Sequence, residues 1–200
     1  LALMHEGLYP AQVEGLFNAW IDVNTQHGIS PTLEVMIPLV SIPDELLMSL
    51  RLIRRVNQEV ASRTGIVVPF SIGTMVETPR AALMADQLAQ WAEFISFGTN
   101  DLTQTTLGVS RDDAARFLTH YVDKGIYARD PFVSLDVEGV GQLIEIAANK
   151  GRATRPEIKL GICGEHGGDP ASIAFCEKVG LDYVSASPYR VPIARLAAAQ

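Results

Sequence analysis

Short runs of apolar, often β-branched residues recur along the chain, and each is followed by apolar residues at helical spacing. Runs of this length that end at turn residues are typical of buried strands in a parallel sheet. They predict strands at Leu33–Val40, Ile66–Met75, Glu93–Phe97, Lys159–Cys163 and Asp182–Ser187. The helical spacing predicts helices at Pro10–His27, Pro43–Arg63, Thr78–Trp91, Val137–Lys150 and Pro170–Val179. This alternation predicts an α/β fold.

Polar residues concentrate just after the ends of the predicted strands. This placement favours a (β/α)8 barrel, because the active site of that fold lies at the carboxyl ends of its strands. An open doubly wound sheet would show the same alternation of strands and helices. Because a barrel needs about eight strands to close, we predict the C-terminal portion of a (β/α)8 TIM-type barrel, with about five of the eight strands in this chain.

The interval between the third and fourth predicted strands is longer than one helix requires. It contains a turn at Ser110–Asp113, a helical pattern around Phe117–Tyr121 and a stop at Asp130-Pro131. These signals predict an inserted helix followed by a long loop.

Composition narrows the class of protein. The 200 residues are 48% apolar, enough to bury a core, and the formal charge of −7 offers no basic face for nucleic acid. The longest apolar runs, Val35–Val40 and Ile66–Phe70, are far shorter than the roughly 20 residues that span a bilayer. Cys163 and Cys176 form no disulfide framework, which predicts a reducing, cytoplasmic location. Leu1 in place of an initiator Met predicts a segment of a longer chain.

Two carboxylates follow successive strands. Glu77 precedes a proline-started helix, and Asp101 ends the run Gly98-Thr99-Asn100-Asp101. Taken singly, the first suits a helix N-terminus and the second suits an Asx turn. On adjacent strands, however, Glu77 and Asp101 would lie side by side and repel each other unless a cation lay between them. Mg²⁺ suits one or two carboxylates, water and an anionic substrate, whereas Zn²⁺ would need a His/Cys set.

Cys163 follows the fourth predicted strand, with Glu165 and His166 just beyond it. Most free cysteines are small buried apolar residues, and Cys176 on a helical pattern fits that description. Cys163 could be a nucleophile with His166 as its base, which would indicate a hydrolase, or a proton donor and acceptor at a carbon atom. The neighbouring carboxylates favour proton transfer.

Together these motifs resemble the phosphoenolpyruvate-utilising enzyme family over about Leu33–Gln200. The resemblance is carried by Gly73–Arg80, Gly98–Gln104 and Gly161–Gly168. The last of these runs is similar to the pyruvate phosphate dikinase branch, as are Ser110–Asp113, Asp130–Phe132, Gly139–Leu143 and Ser187–Gln200. A phosphoenolpyruvate synthase-like member is the alternative. Departures from the pattern are Thr78 and Ala186, where Val and Cys are expected, and the loosely matching stretch Met4–Tyr9.

The resemblance implies an enzyme that reversibly converts ATP, phosphate and pyruvate into AMP, pyrophosphate and phosphoenolpyruvate through a phosphohistidine. It implies that Glu77 and Asp101 ligate Mg²⁺ and that Cys163 transfers the proton at C3 of pyruvate. It further implies a substrate site made by these two carboxylates with three neighbouring residues, Gly98, Thr99 and Asn100.

The resemblance also implies parts that this sequence lacks. None of its four histidines lies in a phosphohistidine motif, and there is no glycine-rich nucleotide loop, so both domains are expected upstream. The phosphate-binding arginines are expected on earlier strands, because Arg80 and Arg190 do not match them. Residues 1–200 are therefore expected to be a partial phosphoenolpyruvate/pyruvate-binding barrel domain, inactive alone and homodimeric through this domain in the full enzyme. A noncatalytic dimer-forming segment is a further alternative.

Overall fold

The computed structural model describes residues 2–200, apart from the side chains of Ala2 and Ala115, and Leu1 lies outside the described residues. One parallel sheet runs through the molecule. Its strands are β1 (Glu34–Ile37), β2 (Ser71–Val76), β3 (Phe94–Gly98), β4 (Lys159–Cys163) and β5 (Tyr183–Val184).

The strand order distinguishes between the two predicted architectures. Each strand pairs in parallel with the next one in sequence, so that the order across the sheet is β1-β2-β3-β4-β5. A doubly wound sheet reverses its order at a switch point, whereas a (β/α)8 barrel adds every strand beside the last. Within the described residues β1 and β5 form the two edges of the sheet. The predicted fold, a five-strand portion of a (β/α)8 barrel, is confirmed.

Helices connect the strands and cover the outer face of the sheet. They are α1 (Leu8–His27), α2 (Pro43–Thr64), α3 (Pro79–Leu83), α4 (Ala85–Leu88), α5 (Thr99–Leu107), α6 (Arg111–Asp123), α7 (Val140–Thr154), α8 (Pro170–Val179) and α9 (Val191–Ala198). Short 3-10 helices cover Ala2–Met4, Glu165–Gly168 and Pro188–Arg190. Among residues 2–200, none of the helices combines the length and apolar character that a membrane span requires.

Most predicted elements are confirmed, and β4 and α8 have the predicted bounds. The predicted strand ends around β1 and β2 were wrong, because Pro38 and Pro69 have no N–H to donate to a neighbouring strand. The fifth strand is also shorter than predicted. The helix predicted from 78 to 91 is divided at Met84 into α3 and α4. We did not predict α5, because the polar run that forms it has no apolar periodicity.

The two faces of the sheet have different environments. Outward side chains such as Ile72, Ile95 and Leu160 are fully buried against the helices. Alternate residues point inward, toward the centre of the incomplete barrel. There Lys159 Nζ on β4 lies 3.0 Å from Glu34 Oε1 on β1, although two strands separate them. Side chains can meet across this span only if the inner face is concave, as a barrel wall requires.

Asn57 on α2 holds the segment that leads into β2. Its Nδ2 donates to the carbonyl oxygen of Val68 at 2.7 Å, and the Val68 N–H donates to Asn57 Oδ1 at 3.0 Å. We expect Asn57→Leu to lower the free energy of unfolding by about 3 kcal/mol, because two buried backbone groups lose their partners. Urea unfolding and hydrogen exchange at the Val68 amide measure this loss. Gln58→Leu, at an exposed position of the same helix, should change stability by less than about 0.5 kcal/mol. Equal stability of the two variants would contradict the expectation.

Candidate functional site

The carboxyl ends of β2, β3 and β4 border a cavity of about 230 Å³. This is the edge of the sheet at which a (β/α)8 barrel places its active site. The cavity brings together all the predicted site residues except Thr99, whose side chain is buried behind the wall. Its lining consists of Met75, Glu77, Gly98, Asn100, Asp101, Gln104, Arg111, Cys163 and Gly164.

Glu77, the residue that follows β2, is 3% exposed. Its Oε1 accepts a 2.6 Å hydrogen bond from the N–H of Leu39, which has a left-handed φ of 53° in the loop after β1. Burial raises the pKa of Glu77, the Leu39 N–H opposes this, and the nearby Asp101 carboxylate raises the pKa further. A positive charge in the cavity would therefore stabilise the ionised carboxylate.

Gly98 at the end of β3 makes room for the Glu77 carboxylate. A Cβ atom at this position would lie 2.5 Å from Glu77 Oε2 and 2.8 Å from Met75 Cε. Any side chain here would push the carboxylate out of its position. Glycine is therefore needed at position 98 because there is no space for a side chain, and not because the backbone is left-handed there.

We expect Gly98→Ala to weaken Mg²⁺ binding by at least about tenfold, because the added methyl group displaces a proposed metal ligand. Titration of the full-length protein with Mg²⁺, followed by thermal unfolding, measures the affinity. Gly108→Ala is the comparison, because a Cβ there meets no atom within 4 Å and only its φ of +66° is unfavourable. If Gly98→Ala binds Mg²⁺ like the wild type, Gly98 does not position Glu77.

Helix α5 begins directly at the end of β3. In the part of the chain that the structure describes, no side chain caps its first turn, which contains Asn100 and Asp101. Free N–H groups and the helix dipole favour an anion at such a terminus. Asp101 is half-buried, and its Oδ1 accepts a 2.8 Å hydrogen bond from Gln104 Nε2. The first turn of α5 therefore offers both a carboxylate and N–H donors at the cavity.

Cys163 ends β4 and is half-buried, with its Sγ 3.6 Å from the carbonyl oxygen of Phe97. Burial raises the pKa of the Cys163 thiol, a hydrogen bond with Ser96 opposes this, and the charges of Glu77 and Asp101 raise the pKa further. The thiol is consequently protonated at neutral pH. This state suits a proton donor and does not suit a nucleophile, which must be a thiolate.

His166 is fully buried and does not face the Cys163 thiol. Its Nδ1 lies 2.7 Å from Thr99 Oγ1, and its Nε2 lies 2.8 Å from the carbonyl oxygen of Pro131. Both ring nitrogens are directed at groups other than the Cys163 thiol, so His166 is not placed to act as its base. The alternative of a hydrolase with a Cys163–His166 pair is therefore wrong.

Arg111 and Gln104 line the cavity but were given no role in the prediction from sequence. Gln104 Oε1 accepts a 2.7 Å hydrogen bond from the N–H of Arg111, which starts α6. One carboxamide thus connects Asp101 to the start of the next helix. The run Ser110–Asp113 was interpreted as a turn and as part of the family resemblance, although an arginine one short helix after Asp101 could also have indicated a site residue. Arg80 lies elsewhere and donates to the carbonyl oxygen of Ser41.

The donor set of the cavity fits Mg²⁺. Among residues 2–200 there is no group of three or more His, Cys, Asp or Glu side chains that could hold a metal ion. Mg²⁺ needs fewer protein ligands, since it keeps several water molecules and is commonly bound by one or two carboxylates and substrate oxygens. Glu77 and Asp101 could supply those two carboxylates, so the Mg²⁺ site stays a prediction that the side chains present can satisfy.

Comparison with known proteins gives matches along the entire chain. Residues 1–200 match the family model for the PEP-binding domain of PEP-utilising enzymes. The pyruvate, phosphate dikinase of Rhizobium meliloti is 56% identical over 200 residues, which are 100% of this chain and 22% of that protein. The Clostridium symbiosum enzyme of the same name is 54% identical over 100% of this chain and 23% of that protein. The chain thus spans about a fifth of the length of these curated relatives.

A solved structure with a similar fold is a citrate lyase from Burkholderia xenovorans. The two structures superpose with a TM-score of 0.57 over 84% of this chain and 49% of that one, at 17% sequence identity. This likeness concerns the fold alone. The family assignment depends on the sequence matches, which cover the whole chain. The chain belongs to the PEP-utilising enzymes and lies within their PEP-binding domain.

Proposed function

We propose that this chain is the C-terminal part of a pyruvate, phosphate dikinase, which reversibly converts ATP, phosphate and pyruvate into AMP, pyrophosphate and phosphoenolpyruvate. In this proposal the chain binds Mg²⁺ and pyruvate or phosphoenolpyruvate, and it transfers the proton at C3. The observation that carries the proposal is one cavity that holds two carboxylates and the Cys163 thiol at the ends of successive strands.

Substrate binding would use the N-terminal end of α5. Asn100 Oδ1 accepts a 3.2 Å hydrogen bond from the Glu165 N–H, which leaves the amide group of Asn100 to donate to a substrate oxygen. Gly98 and Thr99 supply the backbone at the helix terminus, and Arg111 adds a positive charge at the cavity wall. Glu77 and Asp101 would hold Mg²⁺, which when bound stabilises negative charge on the enolate oxygen.

Cys163 would exchange the proton at C3. Toward pyruvate, the thiol gives its proton to C3 of the enolate and becomes a thiolate. Toward phosphoenolpyruvate, the thiolate removes a methyl proton as the enolate forms. Because burial raises the pKa of the Cys163 thiol, its thiolate is a stronger base toward the weakly acidic C–H bond. The same environment therefore supports both directions.

Phosphoenolpyruvate formation by the full-length protein tests this function. With Mg²⁺, ATP and pyruvate, we expect formation to depend on added phosphate, because phosphate is the second phosphoryl acceptor of a dikinase. Formation in the absence of phosphate would identify the synthase-like alternative. No formation under either condition would overturn the proposal.

Residues 1–200 alone are expected to form no phosphoenolpyruvate from ATP, phosphate and pyruvate. The reason is that the chain spans about a fifth of its relatives and the described sheet has five strands. The same assay on the purified fragment measures this. Turnover by the fragment would show that the proposed phosphohistidine and nucleotide domains are unnecessary.

The proposed homodimer and cytoplasmic location stay predictions. Exposed apolar residues near the C-terminus, such as Tyr189 and Leu196, are compatible with a subunit contact and support the dimer.

A further inference from the structure

His166 connects three parts of the fold. It belongs to the 3-10 helix Glu165–Gly168, which begins two residues after Cys163. Its Nδ1 contacts the Thr99 hydroxyl at the start of α5, and its Nε2 contacts the Pro131 carbonyl in the segment between α6 and α7. The imidazole is 0% exposed. It therefore has no access to the cavity or to substrate.

Thr99 continues this connection to Cys163. Its Oγ1 lies 3.0 Å from the carbonyl oxygen of Cys163, and the Thr99 side chain is also 0% exposed. The intervening Gly164 has a φ of +106°, and a Cβ there would lie 2.9 Å from Thr99 Oγ1. The end of β4 and the start of α5 are thus in direct contact, and the Thr99 hydroxyl joins the two.

Counting protons defines the direction of these hydrogen bonds. Pro131 offers only a carbonyl oxygen, so His166 Nε2 must carry a proton. Burial lowers the pKa of His166, which leaves Nδ1 unprotonated and able to accept a hydrogen bond from the Thr99 hydroxyl. The single hydroxyl proton of Thr99 is then shared between His166 Nδ1 and the Cys163 carbonyl. The imidazole thereby controls how Thr99 contacts the backbone of Cys163.

We propose that His166 is a positioning residue for Cys163, acting through the Thr99 hydroxyl to hold the backbone that carries the thiol at the cavity wall. This inference rests on the proposed proton transfer by Cys163. It assigns His166 no proton transfer of its own, because both ring nitrogens face atoms other than the thiol. Its effect is on the rate of the chemical step, since it contacts no substrate group.

Two substitutions separate the contacts of His166. His166→Asn keeps a polar atom near the Nδ1 position, which faces Thr99, while His166→Gln keeps one near the Nε2 position, which faces Pro131. In the full-length protein we expect His166→Gln to lower kcat for deuterium exchange at the pyruvate methyl group by about tenfold. KM for pyruvate should change less than about twofold. His166→Asn should retain most of the rate, and so should the exposed control His120→Gln.

A double-mutant cycle with Thr99→Val tests whether His166 acts through Thr99. The double variant should be no slower than the slower single variant, because both substitutions break the same connection. Three results would each overturn the inference. They are a double variant whose loss of rate equals the product of the two single losses, equal losses of rate in His166→Asn and His166→Gln, and a wild-type rate in His166→Gln. Absence of methyl exchange in the wild-type protein would instead overturn the proposed function. Phosphorylation of each variant by ATP and phosphate shows that its remaining domains are intact.

Discussion

Replacing Cys163 by alanine in the full-length protein is expected to lower deuterium exchange at the pyruvate methyl group by about 10³-fold. The thiol lines the same cavity as Glu77 and Asp101, and burial raises its pKa, so that it holds a proton at neutral pH. Alanine removes the thiol that is proposed to move the C3 proton. Proton NMR of pyruvate in D2O follows the loss of the methyl signal.

Cys176→Ala is the matched control for this experiment. Cys176 lies on α8 and is 2% exposed, and burial raises its pKa to about 12. Its loss should lower stability slightly and leave exchange unchanged. The ATP half-reaction should persist in Cys163→Ala, because the proposal places that half-reaction on the upstream nucleotide and phosphohistidine domains. Exchange at the wild-type rate in Cys163→Ala would exclude Cys163 as the proton carrier.

Glu77→Gln is expected to remove the rise in melting temperature that Mg²⁺ causes and to lower phosphoenolpyruvate formation by about 10²-fold or more. Glutamine has almost the same shape and can still accept the hydrogen bond from the Leu39 N–H. The substitution therefore removes the charge with little disturbance of the loop after β1. Thermal unfolding with and without Mg²⁺ measures the first effect independently of activity.

The metal-free stability of Glu77→Gln should be equal to or higher than that of the wild type at neutral pH. The folded-state pKa of Glu77 is raised above its unfolded value, so the ionised carboxylate destabilises the fold. In the wild type this destabilisation develops as the pH rises from the unfolded pKa through the folded one, and it disappears at lower pH. Glutamine abolishes this pH dependence.

Glu157→Gln is the control. Glu157 is exposed and lies just before β4, at the end of that strand opposite to the cavity. It should respond to Mg²⁺ like the wild type. A wild-type Mg²⁺ response in Glu77→Gln would show that Glu77 is not a metal ligand.

Local signals predicted most of the fold. Apolar runs and helical spacing depend on neighbouring residues, so they located β4 and α8 within their observed bounds. Prolines at the starts of α2, α3 and α8 predicted where these helices begin, because proline suits the first helical turn. Prediction was poorer where a proline interrupted an apolar run or a polar run formed a helix, as for β2 and α5.

For the candidate site, the sequence by itself determined which side chains lie at the ends of successive strands: Glu77, Asp101 and Cys163. Only the tertiary structure decided that the Leu39 N–H binds Glu77, that Arg111 lines the cavity, and that His166 turns away from Cys163. The physical reason is that strand ends follow from local periodicity, whereas a buried polar side chain takes its partners from groups brought near by packing. Those partners lie 38 residues away for Glu77 and 67 for His166, beyond any local pattern.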